Sequence, residues 1–337
     1  MRVGLYDDPL FRRHDAGPGH PERPERLEAL RRGLRPLEPR LQLLEPREAT
    51  REELLRVHTP DHVAAMERTE GQTMRLDVDT QVGPHSYRAA LRAAGAVVLA
   101  VDGVLDGRLD RAFCAVRPPG HHAEGDRAMG FCLFNNVAVG AAWALARGLE
   151  RVMIIDFDVH HGNGTQSTFY ADPRVLYVSS HAYPFYPGTG GASELGEGRG
   201  RGFTLNLPLP AGCGDAEYAA LYREVVAPIG RFFDPQLTLV SAGFDPHVDD
   251  PLAEMRVTPA GFAVVMGACV ETAGGAAAGR VVGVLEGGYD LAGIEASSAE
   301  VVKVLLGEKS AEVQERSPLG DRLVLECRRR FSEFWRL

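Results

Sequence analysis

The sequence predicts an α/β fold built on a parallel sheet, and three observations predict it. Short apolar runs rich in Val, Ile and Leu recur along the chain, the pattern of strands buried on both faces. Segments with helical periodicity lie between them, and such alternation is the mark of strand–helix–strand units. The runs also end in clusters of Asp, His and Tyr, at the strand ends where open α/β sheets bind their ligands. At 337 residues the chain is longer than a typical domain, but α/β folds often reach that length as one unit. With no linker, repeat or low-complexity tract, a single domain over 1–337 is expected.

In chain order, strands are expected at "RVGLY" near the start, then at 111–116, 151–158, 174–180, 203–209, 236–243 and 280–288. Helices are expected over 22–34, 51–68, 84–101, 135–148, 215–233, 259–274 and 291–306. Thr50, three residues before Glu53, forms a capping-box pattern, and Thr258 precedes Pro259, a residue suited to a first helical turn. "GTGGASELGEGRGRG" at 188–202 reads as a long mobile loop. The last segment, 319–337, with Leu323, Leu325, Phe331, Phe334 and Trp335, reads as a helix packed on the outside.

Composition narrows the function classes. A hydrophobic fraction of 45%, 25% charged residues and 38 glycines describe a globular chain with many tight turns. The formal charge of −9 opposes a nucleic-acid partner and suits cationic ones. Cys114, Cys132, Cys213, Cys269 and Cys327 are odd in number and widely spaced, which favours free thiols in a reducing compartment over disulfides or a thiolate zinc site. A cytoplasmic location is therefore expected. The start of the chain lacks an apolar core long enough for a signal peptide, and no stretch approaches the ~18 apolar residues of a membrane span. A homo-oligomer is left open.

The polar residues at strand ends carry the chemistry. "RPPGHH", "DFDVHHGNG", "SSH", "GFD" and "EGGYD" follow five different strands and bring His121, His122, His160, His161 and His181 with them. In "DFDVHHGNG" the period of an extended chain puts Asp156, Asp158 and His160 on one face. An aspartate and a histidine two residues apart can bind a divalent cation, and Asp245, after another apolar run, is the best third ligand. Either aspartate alone would read as a cap or turn residue. Together at strand ends they read as a metal site that fits Zn²⁺, Fe²⁺ or Mn²⁺. Gly287 and Gly288 let the chain bend sharply after its strand, so that Tyr289 projects a hydroxyl toward the site. Glu286 has no evident side-chain role.

With these motifs together, the chain resembles the zinc-dependent histone deacetylase superfamily, particularly its class II-like and bacterial amidohydrolase members, with acetylpolyamine amidohydrolases as relatives. The resemblance runs from "GHPERPERL" at 19–27 through "RPPGHHA", "GFCLFNN" at 130–136, "DFDVHHGNGTQ", "YPGTG" at 186–190 and "GFDPHVDDPL" at 243–252 to "LEGGYD" at 285–290. It implies an arginase-like fold with an eight-stranded parallel sheet and a deep narrow channel ending at zinc. It makes Asp158, His160 and Asp245 the zinc ligands, His122 the general base and acid, and His121 its electrostatic partner, oriented by Asp156. Tyr289 becomes the oxyanion donor, Phe131 and Tyr186 the channel walls, Gly130 the residue that leaves room for the substrate chain, and Leu252 a rim residue. Arg26 matches the family arginine beneath the zinc near an acetate exit. Ser179, Ser180 and the backbone around Asp156 and His160 match a site for K⁺. The expected reaction hydrolyses the acetyl amide of acetyl-lysine, or of a similar N-acetylated amine, to acetate and free amine.

The chain also departs from the family pattern. Asn163 stands where class I members carry an aspartate behind the second histidine, and Tyr186 replaces the commoner phenylalanine. Leu252 replaces the glutamate of polyamine-selective relatives, although Asp249, Asp250 and Glu254 keep that neighbourhood acidic. Asp79 is the nearest match to the family's substrate-backbone aspartate. Two further readings compete with the deacetylase. An arginase-type ureohydrolase would need a second metal, and Gly162 stands where an Asp-x-His-x-Asp run needs its last ligand. A non-catalytic acetyl-lysine binder is opposed by the intact Tyr289 and His122.

Overall fold

The computed structural model describes residues 1–309, 313 and 316–337. Its frame is one eight-stranded parallel sheet in the order β2-β1-β5-β10-β9-β6-β7-β8. The strands are β1 (Val3–Tyr6), β2 (Leu41–Leu44), β5 (Arg111–Cys114), β6 (Val152–Asp156), β7 (Val175–Ala182), β8 (Thr204–Leu209), β9 (Leu237–Ala242) and β10 (Val281–Leu285). A small antiparallel ribbon, β3 (Met74–Arg75) and β4 (Gln81–Val82), stands apart. The helices are α1 (Glu25–Leu34), α2 (Arg51–Leu54), α3 (Pro60–Glu67), α4 (Ser86–Leu105), α5 (Asn136–Ala146), α6 (Asn163–Phe169), α7 (Asp215–Leu221), α8 (Ala227–Phe233), α9 (Pro259–Thr272), α10 (Leu291–Leu305) and α11 (Pro318–Phe331). Strands β5, β6, β9 and β10 are buried throughout, as a sheet covered on both faces requires.

Seven of the eight strands are those expected from apolar runs. The eighth, β2, pairs at the sheet edge, and its four residues are only partly buried. Its run, Leu-Gln-Leu-Leu, is apolar at three of four positions but is only four residues long and lies between Pro39 and Pro46, so it does not stand out from a turn-rich stretch. The expected helix over 51–68 is two helices. Thr50 closes the expected capping box with Glu53, but a second start follows, where Thr59 accepts from the His62 N–H and Pro60 occupies the first helical position. The expected helix over 215–233 runs through a π-helical turn, Tyr222–Val226, just before Pro228. Proline has no N–H with which to continue the regular ladder. The ribbon β3–β4 and α6 were not foreseen. Over 188–202 the chain is irregular apart from a short turn at Gly198–Gly200, and Glu194 pins it by accepting from Gln166 and from the Gly191 N–H. Among the described residues no helix is long and apolar enough to cross a membrane.

Topology gathers what the sequence scatters. The five strands that end in "RPPGHH", "EGGYD", "GFD", "DFDVHH" and "SSH" are β5, β10, β9, β6 and β7, and they are consecutive neighbours in the sheet. Their ends are in register, with Asp156 beside both Ser179 and Ser241. Several of these strands stop short of the expected ends: β5 at Cys114, β6 at Asp156 and β10 at Leu285. Apart from Asp156, the last residue of β6, and Ser179–His181, which stay within β7, the polar residues therefore sit on the loops beyond the sheet edge.

Candidate active site

One ligating atom each from Asp158, His160 and Asp245 lies within 4.8 Å of the others, and all three residues are enclosed. The expectation that Asp156 shares their face does not hold, because β6 ends at Asp156 and strand alternation ends with it. Asp156 turns instead to His121 Nδ1 at 3.0 Å and to the Tyr177 hydroxyl at 3.1 Å, and it accepts the Asp158 N–H at 3.1 Å. His160 Nδ1 lies 3.1 Å from both Asp158 and Asp245. Burial opposes a charge on His160, yet the two carboxylates lift it to about 10. Burial and the neighbouring Asp158 push Asp245 up to about 7. Two buried carboxylates this close call for positive charge between them. Two oxygen donors and one imidazole are a donor set that a divalent ion such as zinc satisfies, so these residues fit a metal.

The adjacent histidines diverge. Burial disfavours charge on His121, but Asp156 and Asp158 outweigh it and raise this imidazole well above its ordinary value. His122, buried against His121 and His160, is held well below its ordinary value. Asn163 explains its tautomer. The amide donates through Nδ2 to Glu124 at 2.6 Å, which leaves Oδ1 to accept from His122 Nδ1 at 2.8 Å. The other nitrogen, Nε2, is then free to take a proton.

Glu286, without a role in the sequence, fastens the turn that presents both rings. Its Oε2 accepts the N–H groups of Gly120 at 2.7 Å and His121 at 3.2 Å, while Oε1 accepts from Ser241 at 2.9 Å. Glu124 and Glu286 are functional-site carboxylates that local sequence did not reveal. Their partners lie 39 and 165–166 residues away in the chain.

A cavity of about 150 Å³ opens onto this edge, and Gly130, Phe131, Tyr186, Leu252 and Tyr289 line it together with Asp79. The Phe131 ring meets Tyr289 edge-on at 6.0 Å, and Tyr186 meets His122 edge-on at 5.1 Å. A side chain at Gly130 would collide with the His122 ring, and φ there is +57°. Asp79 lies 3.3 Å from the Gly130 N–H, within accepting distance. Burial raises the Tyr289 phenol well above its ordinary value, so it stays a donor. Below it, the fully buried Arg26 lies 5.0 Å from the ring centroid and donates to the carbonyls of Gly288 and Glu286 at 2.5 Å. Ser179 Oγ lies 2.9 Å from His181 Nδ1, and Ser180 Oγ 2.9 Å from the Tyr222 hydroxyl; Ser179 pairs with Asp156 in the sheet register. A Cβ at Gly162 would run into the Asp156 carboxylate and the Tyr177 hydroxyl, so a further metal ligand has no room there.

Acidic donors, a histidine pair of split charge and a phenol around one small apolar cavity are the equipment of a hydrolase. Residues 20–305 match the family described as "Histone deacetylase domain". A "Probable deacetylase" of Archaeoglobus fulgidus is 41% identical over 87% of this chain and 83% of its own length. The "Histone deacetylase-like amidohydrolase" of Pseudomonas aeruginosa is 41% identical over 96% of this chain and 90% of its own. "Histone deacetylase 5" of Arabidopsis thaliana is 40% identical over 99% of this chain but only 54% of its own length. Among solved structures, the "HDA15 HD domain" superposes with a TM-score of 0.93 at 40% identity, over 99% of this chain and 95% of that one. The chain belongs to the histone deacetylase family, has that family's fold, and is a hydrolytic deacetylase.

Proposed function

We propose that the protein is a zinc-dependent deacetylase that hydrolyses the acetyl amide of acetyl-lysine, or of a similar N-acetylated aliphatic amine, to acetate and a free amine. The observation that carries this reading is the enclosed Asp158, His160 and Asp245 donor group, whose His160 lines an aromatic cavity. Zinc held there, or Fe²⁺ in its place, would polarise the acyl carbonyl and lower the pKa of a water to ~7. His122, neutral and with Nε2 unprotonated, takes the proton of the attacking water and later returns it to the leaving amine. His121, held charged by Asp156, stabilises the negative charge that develops beside it. The Tyr289 hydroxyl donates to the oxyanion, a contribution worth ~3 kcal/mol of barrier. Phe131 and Tyr186 flank a linear methylene chain, Leu252 closes the rim, and Arg26 lies on the route by which acetate leaves. Ser179, Ser180 and the carbonyls around Asp156 and His160 form a place for K⁺ that is structural.

An acetylpolyamine is the second substrate reading, favoured by the carboxylate of Asp79 in the cavity lining. Ureohydrolysis has no support at Gly162. The test uses purified, zinc-loaded protein with acetyl-lysine peptides, acetylpolyamines and arginine, with and without chelator. We expect acetate release from one or both acetylamines, lost on chelation and restored by zinc. Ornithine release, or no acetate from any acetylamide, would overturn the reading.

A further inference from the structure

Asp250 lies in the loop between β9 and α9 and is buried. Its Oδ2 accepts the backbone N–H of Tyr289 at 2.6 Å and that of Asp290 at 3.2 Å, while Oδ1 accepts the Leu252 N–H at 3.0 Å. One carboxylate thus joins the loop that carries the phenol to the loop that forms the rim.

The chain around Tyr289 needs such a tether. Gly287 and Gly288 precede it, and Gly288 has φ +112°, a conformation open in practice only to glycine. This glycine pair offers little resistance of its own to swinging the tyrosine. Neighbouring groups are fixed elsewhere: the Gly287 N–H donates to Asp158 at 2.8 Å, and the Gly288 carbonyl accepts from Arg26 at 2.5 Å. The amide of Tyr289 itself is held by Asp250. Asp290 caps α10 by accepting the Gly293 N–H at 2.6 Å, so Asp250 also sits at the N-terminal end of that helix, where negative charge is favoured.

The structure assigns Asp250 as a positioning residue for the Tyr289 phenol, acting through the tyrosine's own backbone and sharing its hold with rim residue Leu252. The assignment rests on Tyr289 being the oxyanion donor proposed above. Loss of the carboxylate leaves a buried N–H without an acceptor, and the loop relaxes to satisfy it. The catalytic loss then passes through the phenol.

The decisive experiment is a double-mutant cycle on the zinc-loaded full chain with an acetyl-lysine peptide. Asp250→Asn keeps the side chain's size but leaves one oxygen where two were used. We expect it to lower kcat ~10–100-fold, with KM moving less than ~3-fold, against the ~100–1,000-fold loss of deleting an oxyanion donor. In a Tyr289→Phe background the same change should cost less than ~3-fold, because the group it positions is already gone. Equal losses in both backgrounds would overturn the assignment. If the asparagine variant is insoluble, Asp250→Glu, which keeps the charge but displaces it, enters the same cycle with the same expectation. A second readout needs no turnover: 3-fluorotyrosine placed at 289 should give one sharp ¹⁹F resonance in the parent and a split or broadened one in Asp250→Asn. An unchanged spectrum would overturn the assignment. A parent enzyme that cleaves no acetylamine would sink the deacetylase reading, and the fluorine spectrum would still decide the role of Asp250.

Discussion

His58 and His62 lie with ring centroids 4.9 Å apart, and His121 and His122 lie 4.0 Å apart. All four rings are almost closed to solvent. The first pair, at the start of α3, packs against Phe134, and its polar partners are backbone groups: the carbonyls of Glu124 and Leu133 and the Asn135 N–H, each at 2.9 Å. Burial pushes His58 down to about 3 and also lowers His62. In the second pair the same burial is overridden on one ring only, because Asp156 and Asp158 face His121 while His122 faces an amide. What separates a structural histidine pair from a chemical one here is the charge of the partner, since burial is common to both.

The largest effect should come from breaking the second pair. His122→Ala should lower kcat by ~10³-fold, within the range for losing a general acid and base, while the melting temperature and zinc content stay near those of the parent. A variant that keeps a tenth of the parent rate would show that another group moves the proton. His121→Ala should cost less, since that ring stabilises charge and transfers no proton in the proposed reaction.

Breaking the first pair should act on stability and leave the rate per folded molecule intact. His58 is held neutral at about 3 in the folded chain, against an ordinary value of 6.5. Between those values the unfolded chain binds a proton that the folded one refuses. Stability therefore falls as pH drops below ~6.5, by ~1.4 kcal/mol per pH unit for such a group, and is unaffected by this histidine above that pH. Urea unfolding of His58→Gln at pH 7.5 and 5.5 should give a smaller pH difference than the parent by about that amount. An identical difference would mean that His58 is charged in the folded state. At pH 7.5 the variant should lose ~1–3 kcal/mol through its disturbed hydrogen bonds.

The same contrast explains what was legible in the sequence. Asp158, His160, Asp245, His121, His122 and Tyr289 stand just beyond buried apolar runs, and the sheet order makes those runs neighbours. Strand ends are a local signal, and the sequence alone groups these residues by it. The eighth strand, Leu-Gln-Leu-Leu, did not stand out because its apolar run is only four residues long between Pro39 and Pro46 and is not followed by a polar cluster of this kind. Glu124, Glu286 and Asp250 were illegible in their roles for a different reason. Each accepts from groups that only the folded chain brings near, some of them 39 to 166 residues distant, and a carboxylate that orients its neighbours looks in sequence like any acid in a loop. Side-chain alternation likewise holds only within a strand, and β6 ends at Asp156. That residue serves His121 instead.

The smallest effect should sharpen the boundary between chemistry and selection at the cavity mouth. Tyr186 sits edge-on to His122, and its hydroxyl lies in the field of Asp79. Burial, and then Asp79, raise this phenol above its ordinary value, so it is neutral at working pH and can only donate or accept hydrogen bonds. The ring, which forms the wall, is common to tyrosine and phenylalanine. Tyr186→Phe should therefore leave kcat within ~2-fold and change kcat/KM by less than ~5-fold, the range of one partly solvated hydrogen bond. If the hydroxyl orients Asp79 toward a cationic substrate, the change should be larger for an acetylpolyamine than for an acetyl-lysine peptide. An equal change for both would confine Tyr186 to the wall and leave charge selection to Asp79 alone.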